Sequence, residues 1–149
     1  MTYLSPAKIN LFLHVTSKRA DGYHNLQTIF QLLDYYDEIS LDYREDGAIN
    51  RISGNEGIPQ DQDLVVRSAT ILKKISGSKG GVDISIAKKI PMGGGLGGGS
   101  SNAATVLIAL NKLWNLSLSK EELMAIGQNI GADVPVFVNC HSCWGEGIG

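Results

Sequence analysis

Cysteine is scarce in this chain: there are two, Cys140 and Cys143. They form a Cys-x-x-Cys with His141 between them, a spacing that suits a redox pair or half of a zinc site. A structural zinc site takes about four ligands, and the sequence has no second Cys/His pair; haem attachment of the c type needs a histidine directly after the second cysteine, where Trp144 stands. Two reduced, incidental thiols is the preferred reading. An excess of charge is lacking as well, since 13 basic and 15 acidic side chains spread along the chain leave a formal charge of -2. That excludes a nucleic-acid partner and a surface held to anionic lipid. No apolar run approaches the roughly 20 residues of a membrane-spanning helix. The opening residues, MTYLSPAKINLFLHV, carry no basic stretch ahead of an apolar one and no small-residue cleavage pattern, so no secretory signal and a cytoplasmic location are expected. No internal repeat or linker divides the 149 residues, which with 43% hydrophobic composition suffice for one core and one domain, 1–149.

What is present is periodicity. From Ala7 to Val15 the residues alternate, with Ala7, Ile9, Leu11, Leu13 and Val15 on one face and Lys8, Asn10, Phe12 and His14 on the other, the period of a strand. Lys8 and Asn10 therefore point the same way. A polar turn, Ser17 to Asn25, precedes strand-like runs at Leu26–Leu33, Glu38–Tyr43 and, more weakly, Ile49–Ile52. The spacing of Leu64, Val65, Ile71, Leu72 and Ile75 predicts a helix over 61–75, stopped at Gly77. A strand over Val82–Ile86 runs into a glycine-rich stretch, after which Ala103, Ala104, Leu107, Leu110 and Leu113 mark the buried side of a second helix. Ser119 and Glu122 have capping-box spacing at the head of a third helix, which ends by Gly131, and Val134–Val138 reads as a last strand. Sheet first, then helices with strands between them, predicts a mixed α+β layer fold. After Gly145, Gly147 and Ile148 comes neither a closing helix nor a charged tail, so the expectation is a chain that has been cut rather than finished.

The segment PMGGGLGGGSSNAA, Pro91 to Ala104, lies between a predicted strand and a predicted helix and places six glycines in the seven positions 93–99. Glycine loses the most conformational freedom on folding, so such a run needs a reason. Close approach of a large anion to bare backbone supplies one: successive N–H groups point inward, no Cβ intrudes, and the next helix presents its positive end. Ser100 and Ser101 are placed to cap that helix, to bond phosphate oxygens or to hold a magnesium ion. A G-x-x-x-x-G-K-[ST] loop is excluded because Ser100 stands where the lysine belongs. A dinucleotide fingerprint fits poorly, because the glycines are contiguous and no clean strand-end acid follows about 20 residues on. A flexible linker is disfavoured by Pro91, Met92 and Leu96 interrupting the run and by the helix that begins at once.

PMGGGLGGGSSNAA resembles the phosphate-binding motif of the GHMP kinases, named for galacto-, homoserine, mevalonate and phosphomevalonate kinases. Two further segments, PAKINLFLHVTSKRADGYHNL (6–26) and GADVPVF (131–137), narrow the resemblance to members acting on a cytidine diphosphate-linked methylerythritol, and the similarity of pattern extends over nearly the whole chain. The resemblance implies the GHMP-kinase N-terminal domain fold (ribosomal protein S5 domain 2-like), a mixed or antiparallel sheet with packed helices, with the family's C-terminal domain absent from the chain. It implies transfer of the γ-phosphoryl group of ATP, with Mg2+, to the 2-hydroxyl of that alcohol, a step of non-mevalonate isoprenoid synthesis. Asp133 and Lys8 match the family's catalytic aspartate and lysine, and Asn10 a neighbouring substrate contact. Tyr23 and His24 match the pair that holds the cytosine. Pro91, Met92, Gly93, Gly94, Gly95, Leu96, Gly97, Gly98, Gly99, Ser100 and Ser101 match the ATP phosphate loop, with Ser100 as metal ligand and Lys88 also at the nucleotide. Asp63 stands where an asparagine near the adenine is expected. The implied partner is a small molecule, with no nucleic acid and no membrane, and the expected state is a monomer or weak homodimer.

Taken without the resemblance, Lys8 reads as an exposed strand lysine, Asp133 as a solvated residue at a helix exit, His24 as a turn histidine and Tyr23 as a half-buried packing aromatic. A carboxylate and a cation on separate segments nevertheless suit phosphoryl transfer, the one accepting a hydroxyl proton and the other offsetting charge on the transferred group. Two alternatives stand beside the kinase reading: a catalytically incomplete nucleotide-binding module, and a GHMP kinase for homoserine or mevalonate. Gly22, Tyr23 and His24 argue against the second, since those acceptors carry no cytosine.

Overall fold

The computed structural model describes residues 1–20, 22 and 24–148, the side chain of Ile148 apart. Its elements are β1 (Thr2–Lys18), β2 (His24–Arg44), β3 (Ile49–Ser53), α1 (Leu64–Ser76), β4 (Gly81–Ala87), α2 (Gly98–Leu113), α3 (Lys120–Gln128), α4 (Val134–Asn139) and β5 (Cys143–Ile148). The sheet is organised around the long β2. Along one edge of β2 lies antiparallel β1, from Thr2 opposite Ser40 to Lys18 opposite His24. The other edge is shared: β4 pairs antiparallel with residues 38–44, and β5 pairs antiparallel with residues 25–30. Parallel β3 adds outside β4. The result is the mixed α+β fold that the sequence predicts.

The helices cover the face of the sheet that carries Ile39, Leu41, Val82, Ile84 and Ile86, all buried. Ala103, Ala104, Leu107 and Leu110 of α2 are buried as expected, and their small members let the helix lie close to the sheet. Asp63 caps α1, its side chain accepting from the Val65 amide, and Gly77 ends it at φ 70. The capping box of Ser119 and Glu122 is formed in full. Among the described residues no helix is long and apolar enough to cross a membrane.

Three elements differ from the sequence expectation. The runs at 26–33 and 38–43 are one strand, because the intervening Asp37 is fully buried and accepts the amides of Lys89 and Ile90, a pairing no local pattern announces. Residues 134–138 form α4 rather than a strand. Pro135 lies in the first turn of that helix, where its missing N–H costs nothing, whereas within a ladder it would remove a hydrogen bond. Val134, Phe137 and Val138, at helical spacing, are the residues it buries. Strand β5 is made of residues too glycine-rich to read as a strand, and Gly145 is there because a Cβ would lie 2.5 Å from the Phe30 ring.

The alternation of β1 is real, but beyond Ala7, which is fully buried, the face expected to be enclosed is the exposed one. Lys8 is 6% exposed while Leu11, Leu13 and Val15 are at least half exposed. The pairing with β2 slips between Asn10 and Leu13, a β-bulge that re-aims the backbone at that point.

Candidate functional site

The glycine-rich stretch folds into a loop clamped from below. Its Leu96 carbonyl accepts the Lys8 amide at 2.9 Å, and Ser101 N–H returns to the Gly97 carbonyl at 2.8 Å to open α2. Gly97 sits at φ 71, and a Cβ there would lie 2.7 Å from Cζ of Phe137 and 3.1 Å from Cγ of Lys8. This glycine is therefore required by protein packing and backbone conformation. No side chain caps α2, contrary to the role expected of Ser100 or Ser101. Ser101 is fully buried, its hydroxyl accepting from Ser5 at 2.9 Å, while Ser100 lies on the cleft.

Residues 91–100 line a cleft of about 330 Å³ together with Lys88, Asn102 and a wall formed by Asn55, Ile58 and residues 62–65. Lys88 is ion-paired with buried Asp37, and its Nζ lies 3.1 Å from where a Gly98 Cβ would stand, so the ammonium sits beside the first turn of α2. Asp63, in the position where the resemblance leads to an asparagine, is 3% exposed and occupied by protein partners: Val65 N at 3.0 Å, Arg51 Nη1 at 2.5 Å and Asn55 Nδ2 at 3.0 Å.

The second cluster lies on the other side of the loop. Lys8 Nζ is 3.3 Å from Asp133 Oδ2, with the lysine side chain 7% and the aspartate 34% exposed. Lys8 is thus buried rather than solvated, and Asp133 stands at the entry of α4 rather than at a helix exit. Its carboxylate makes no cap bond to α4 and is left for Lys8 and the cleft. Lys8 Nζ also donates to Asn10 Oδ1 at 2.7 Å and lies 5.5 Å from the centre of the Phe30 ring. Asn10 Nδ2 donates to Thr28 Oγ1 at 2.8 Å, and Thr28 donates its one proton to the Phe12 carbonyl at 2.5 Å. That relay decides the Asn10 amide: a hydroxyl committed to a carbonyl accepts from the nitrogen, so the oxygen faces the ammonium. Sequence reasoning missed Thr28 and Phe30. A single polar residue between Leu26 and Phe30 on one face of a strand was the available signal for Thr28.

Lys8, Asn10, Thr28 and Asp133 form the floor of a larger cleft, about 1180 Å³, with Leu13, Leu26, Phe30 and Trp144 among its walls. Because Lys8 Cγ also abuts Gly97, the Lys8–Asp133 pair marks the junction of the two clefts. His24 is exposed at the start of β2, opposite Lys18, on the pleat face of Leu26 and Thr28 and about 13 Å along the strand from Thr28. The structure does not bring it to the cleft floor, and Tyr23 lies outside the described residues. Cys143 lines the larger cleft and Cys140 is exposed, both as free thiols. Among the described residues no three His, Cys, Asp or Glu side chains gather to hold a metal.

The model of the GHMP kinases N terminal domain matches residues 63–141, more than half of the chain. The chain is 59% identical over 148 residues to 4-diphosphocytidyl-2-C-methyl-D-erythritol kinase of Ruthia magnifica subsp. Calyptogena magnifica, covering 99% of this chain and 52% of that protein. With the same kinase of Cupriavidus metallidurans it shares 57% over 145 residues, 97% of this chain and 50% of the relative. It thus spans about half the length of the relatives it matches. Among solved structures, a crystal structure of 4-(cytidine 5'-diphospho)-2C-methyl-D-erythritol kinase superimposes with TM-score 0.87 at 38% identity, over 100% of this chain and 53% of that one. Mevalonate kinase of Methanococcus jannaschii, at 18% identity and TM-score 0.69 over 99% of this chain and 53% of that one, shares the fold. The loop, the pair at its edge and these matches agree: the chain belongs to the GHMP kinase N-terminal domain family.

Proposed function

We propose that this chain carries the ATP site and the reacting pair of a kinase that phosphorylates the 2-hydroxyl of 4-diphosphocytidyl-2-C-methyl-D-erythritol, and that it forms the N-terminal domain of a longer protein. The observation that carries the reading is the Lys8–Asp133 pair at the junction of the two clefts. On this reading the glycine loop holds the ATP phosphates against the uncapped first turn of α2, whose amides no side chain satisfies. The acceptor lies in the larger cleft. Its hydroxyl oxygen attacks the γ-phosphorus, the bond to the β-phosphate oxygen breaks, and the hydroxyl proton passes to the Asp133 carboxylate. Lys8, held by Asn10 and Asp133, places its positive charge where negative charge builds on the transferred group. Ser100, on the cleft lining with its hydroxyl near Gly131, is the residue that would help hold a magnesium ion, which when bound would offset phosphate charge. His24 and Tyr23, farther along the strand, are left for the cytosine end of the acceptor.

Asp133→Asn in the full-length protein keeps the shape of the residue and removes the base. The expected result is a kcat lower by about 10²–10⁴-fold with little change in ATP affinity, read by steady-state kinetics and calorimetric titration. Near-normal kcat with lost ATP affinity would make Asp133 a metal or structural ligand and overturn the mechanism.

A further inference from the structure

The wall of the smaller cleft opposite the glycine loop carries three linked polar side chains that phosphoryl transfer does not use. Asp63 commits one carboxylate oxygen to the Val65 amide and the other to Arg51 Nη1 and Asn55 Nδ2. Arg51 is held in turn by the Ile58 carbonyl at 2.9 Å. A carboxylate only accepts, so the atom of Asn55 facing Asp63 is its nitrogen. The amide oxygen is then turned away from Asp63, and it has no partner among the described residues. Asn55 lines the cleft and is 8% exposed, so little besides a cleft occupant can satisfy that oxygen. Its backbone is fixed as well: φ is 55, a conformation asparagine tolerates, the Asn55 carbonyl accepts from the Ile58 amide, and the adjoining Gly54 amide is held by Glu56 at 2.8 Å.

We propose that Oδ1 of Asn55 reads the nucleobase, accepting a hydrogen bond from an exocyclic amino group, so that the cleft selects a 6-amino purine over a 6-oxo purine. The inference rests on the nucleotide reading above and deepens it. A 6-oxo purine sets its carbonyl oxygen against that of Asn55, two acceptors face to face. The amide cannot reverse to meet it, because reversal sets its oxygen against the Asp63 carboxylate. Arg51 and Asp63 therefore act as positioning residues for Asn55, since both oxygens of Asp63 are already taken by Val65, Arg51 and Asn55. A purine without any 6-substituent loses the bond but meets no repulsion, and ranks between the two.

Calorimetric titration of the full-length protein with the non-hydrolysable β,γ-imido triphosphates of adenosine, purine riboside and inosine tests this. The adenosine form is expected to bind about three- to tenfold more tightly than the purine riboside form, the yield of one neutral hydrogen bond, and the inosine form more weakly still. Asn55→Gly, which keeps the positive φ accessible and removes the acceptor, should bring the adenosine and inosine forms to within about twofold. If Asn55→Gly does not fold, Asp63→Asn serves instead: its one oxygen stays with the Val65 amide, Arg51 keeps the Ile58 carbonyl, and its Nδ2 now faces Asn55, so the Asn55 amide turns and the inosine form should improve relative to adenosine. Wild type without the expected ranking, or either folded variant with the wild-type ratio, overturns the inference and leaves the nucleotide reading standing. Wild type that binds none of the three triphosphates overturns both.

Discussion

Thr28 shows how much of the site depends on a residue that touches no reacting atom. Its hydroxyl gives its proton to the Phe12 carbonyl and accepts from Asn10, which turns the Asn10 oxygen to Lys8. Thr28→Val keeps the shape and removes both bonds, so the Asn10 amide is free to set its nitrogen against the ammonium. On the proposed mechanism kcat should fall by about 10- to 100-fold with the KM for ATP little changed, while Thr28→Ser restores most of the rate. Equal losses in Thr28→Val and Thr28→Ser would reduce Thr28 to packing. Legibility in the sequence divides at this scale. Lys8 and Asn10 on one face follow from alternation alone, whereas Asp133 stood out only through the family resemblance. Thr28 is marked only as the one polar residue between Leu26 and Phe30 on a strand face, which does not reveal its role, and Asn55, next to Gly54, reads locally as a turn residue. Their roles depend on partners at positions 12 and 63 that only the bulge in β1 and the cap of α1 bring within reach.

Among the elements, the loop and the head of α2 separate glycines that serve the fold from glycines that serve a ligand. Gly97 belongs to the first kind, since a methyl group there meets Phe137 and Lys8. Gly97→Ala would confound folding, catalysis and binding. Gly99 lies within α2 on the cleft lining, and a Cβ there has only Leu64 at 3.6 Å, an ordinary contact. Gly99→Ala should therefore leave the melting temperature unchanged or raise it, since alanine in a helix is worth up to about 1 kcal/mol over glycine. The methyl group would stand where phosphate oxygens approach, and affinity for a non-hydrolysable ATP analogue should fall on the order of tenfold. Unaltered affinity in this folded variant would refute the phosphate cradle. The glycine run was legible as a cradle because few other functions require six glycines before a helix. The reversal of residues 134–138 from strand to helix was not, since three valines mask a pattern that only burial of Val134, Phe137 and Val138 resolves.

Across the whole molecule, the base-reading wall is tied to an acid-sensitive end of the sheet. Arg44 closes the β2–β3 turn with Asp46 and bridges to Asp83 on β4, which also accepts from Asn50 of β3. The hydrogen bond from Arg44 holds the Asp46 carboxyl down at about 2, and that from Asn50, followed by Arg44, lowers Asp83. Backbone amides, its own and that of Gly54, lower Glu56 next to Asn55. All three values are depressed on folding. Each group therefore contributes stability that is complete above its unfolded value, 3.8 for aspartate and 4.5 for glutamate, and that is lost as pH falls through the folded value, down to about 2 for Asp46. The groups face solvent, so each contribution is small and shrinks with added salt. Stability to urea should accordingly be flat above about pH 5 and decline towards pH 2, with amide exchange rising first over 44–56 while the β1–β2 ladder stays protected. In Arg44→Gln the decline between about pH 4 and pH 2 should be shallower than in wild type, because the variant has already lost the pairs that acid removes. Parallel pH profiles for the two proteins would show that the Arg44 cluster does not govern acid stability. Nucleotide affinity should weaken over the same range, since the segment that loosens carries Asn55.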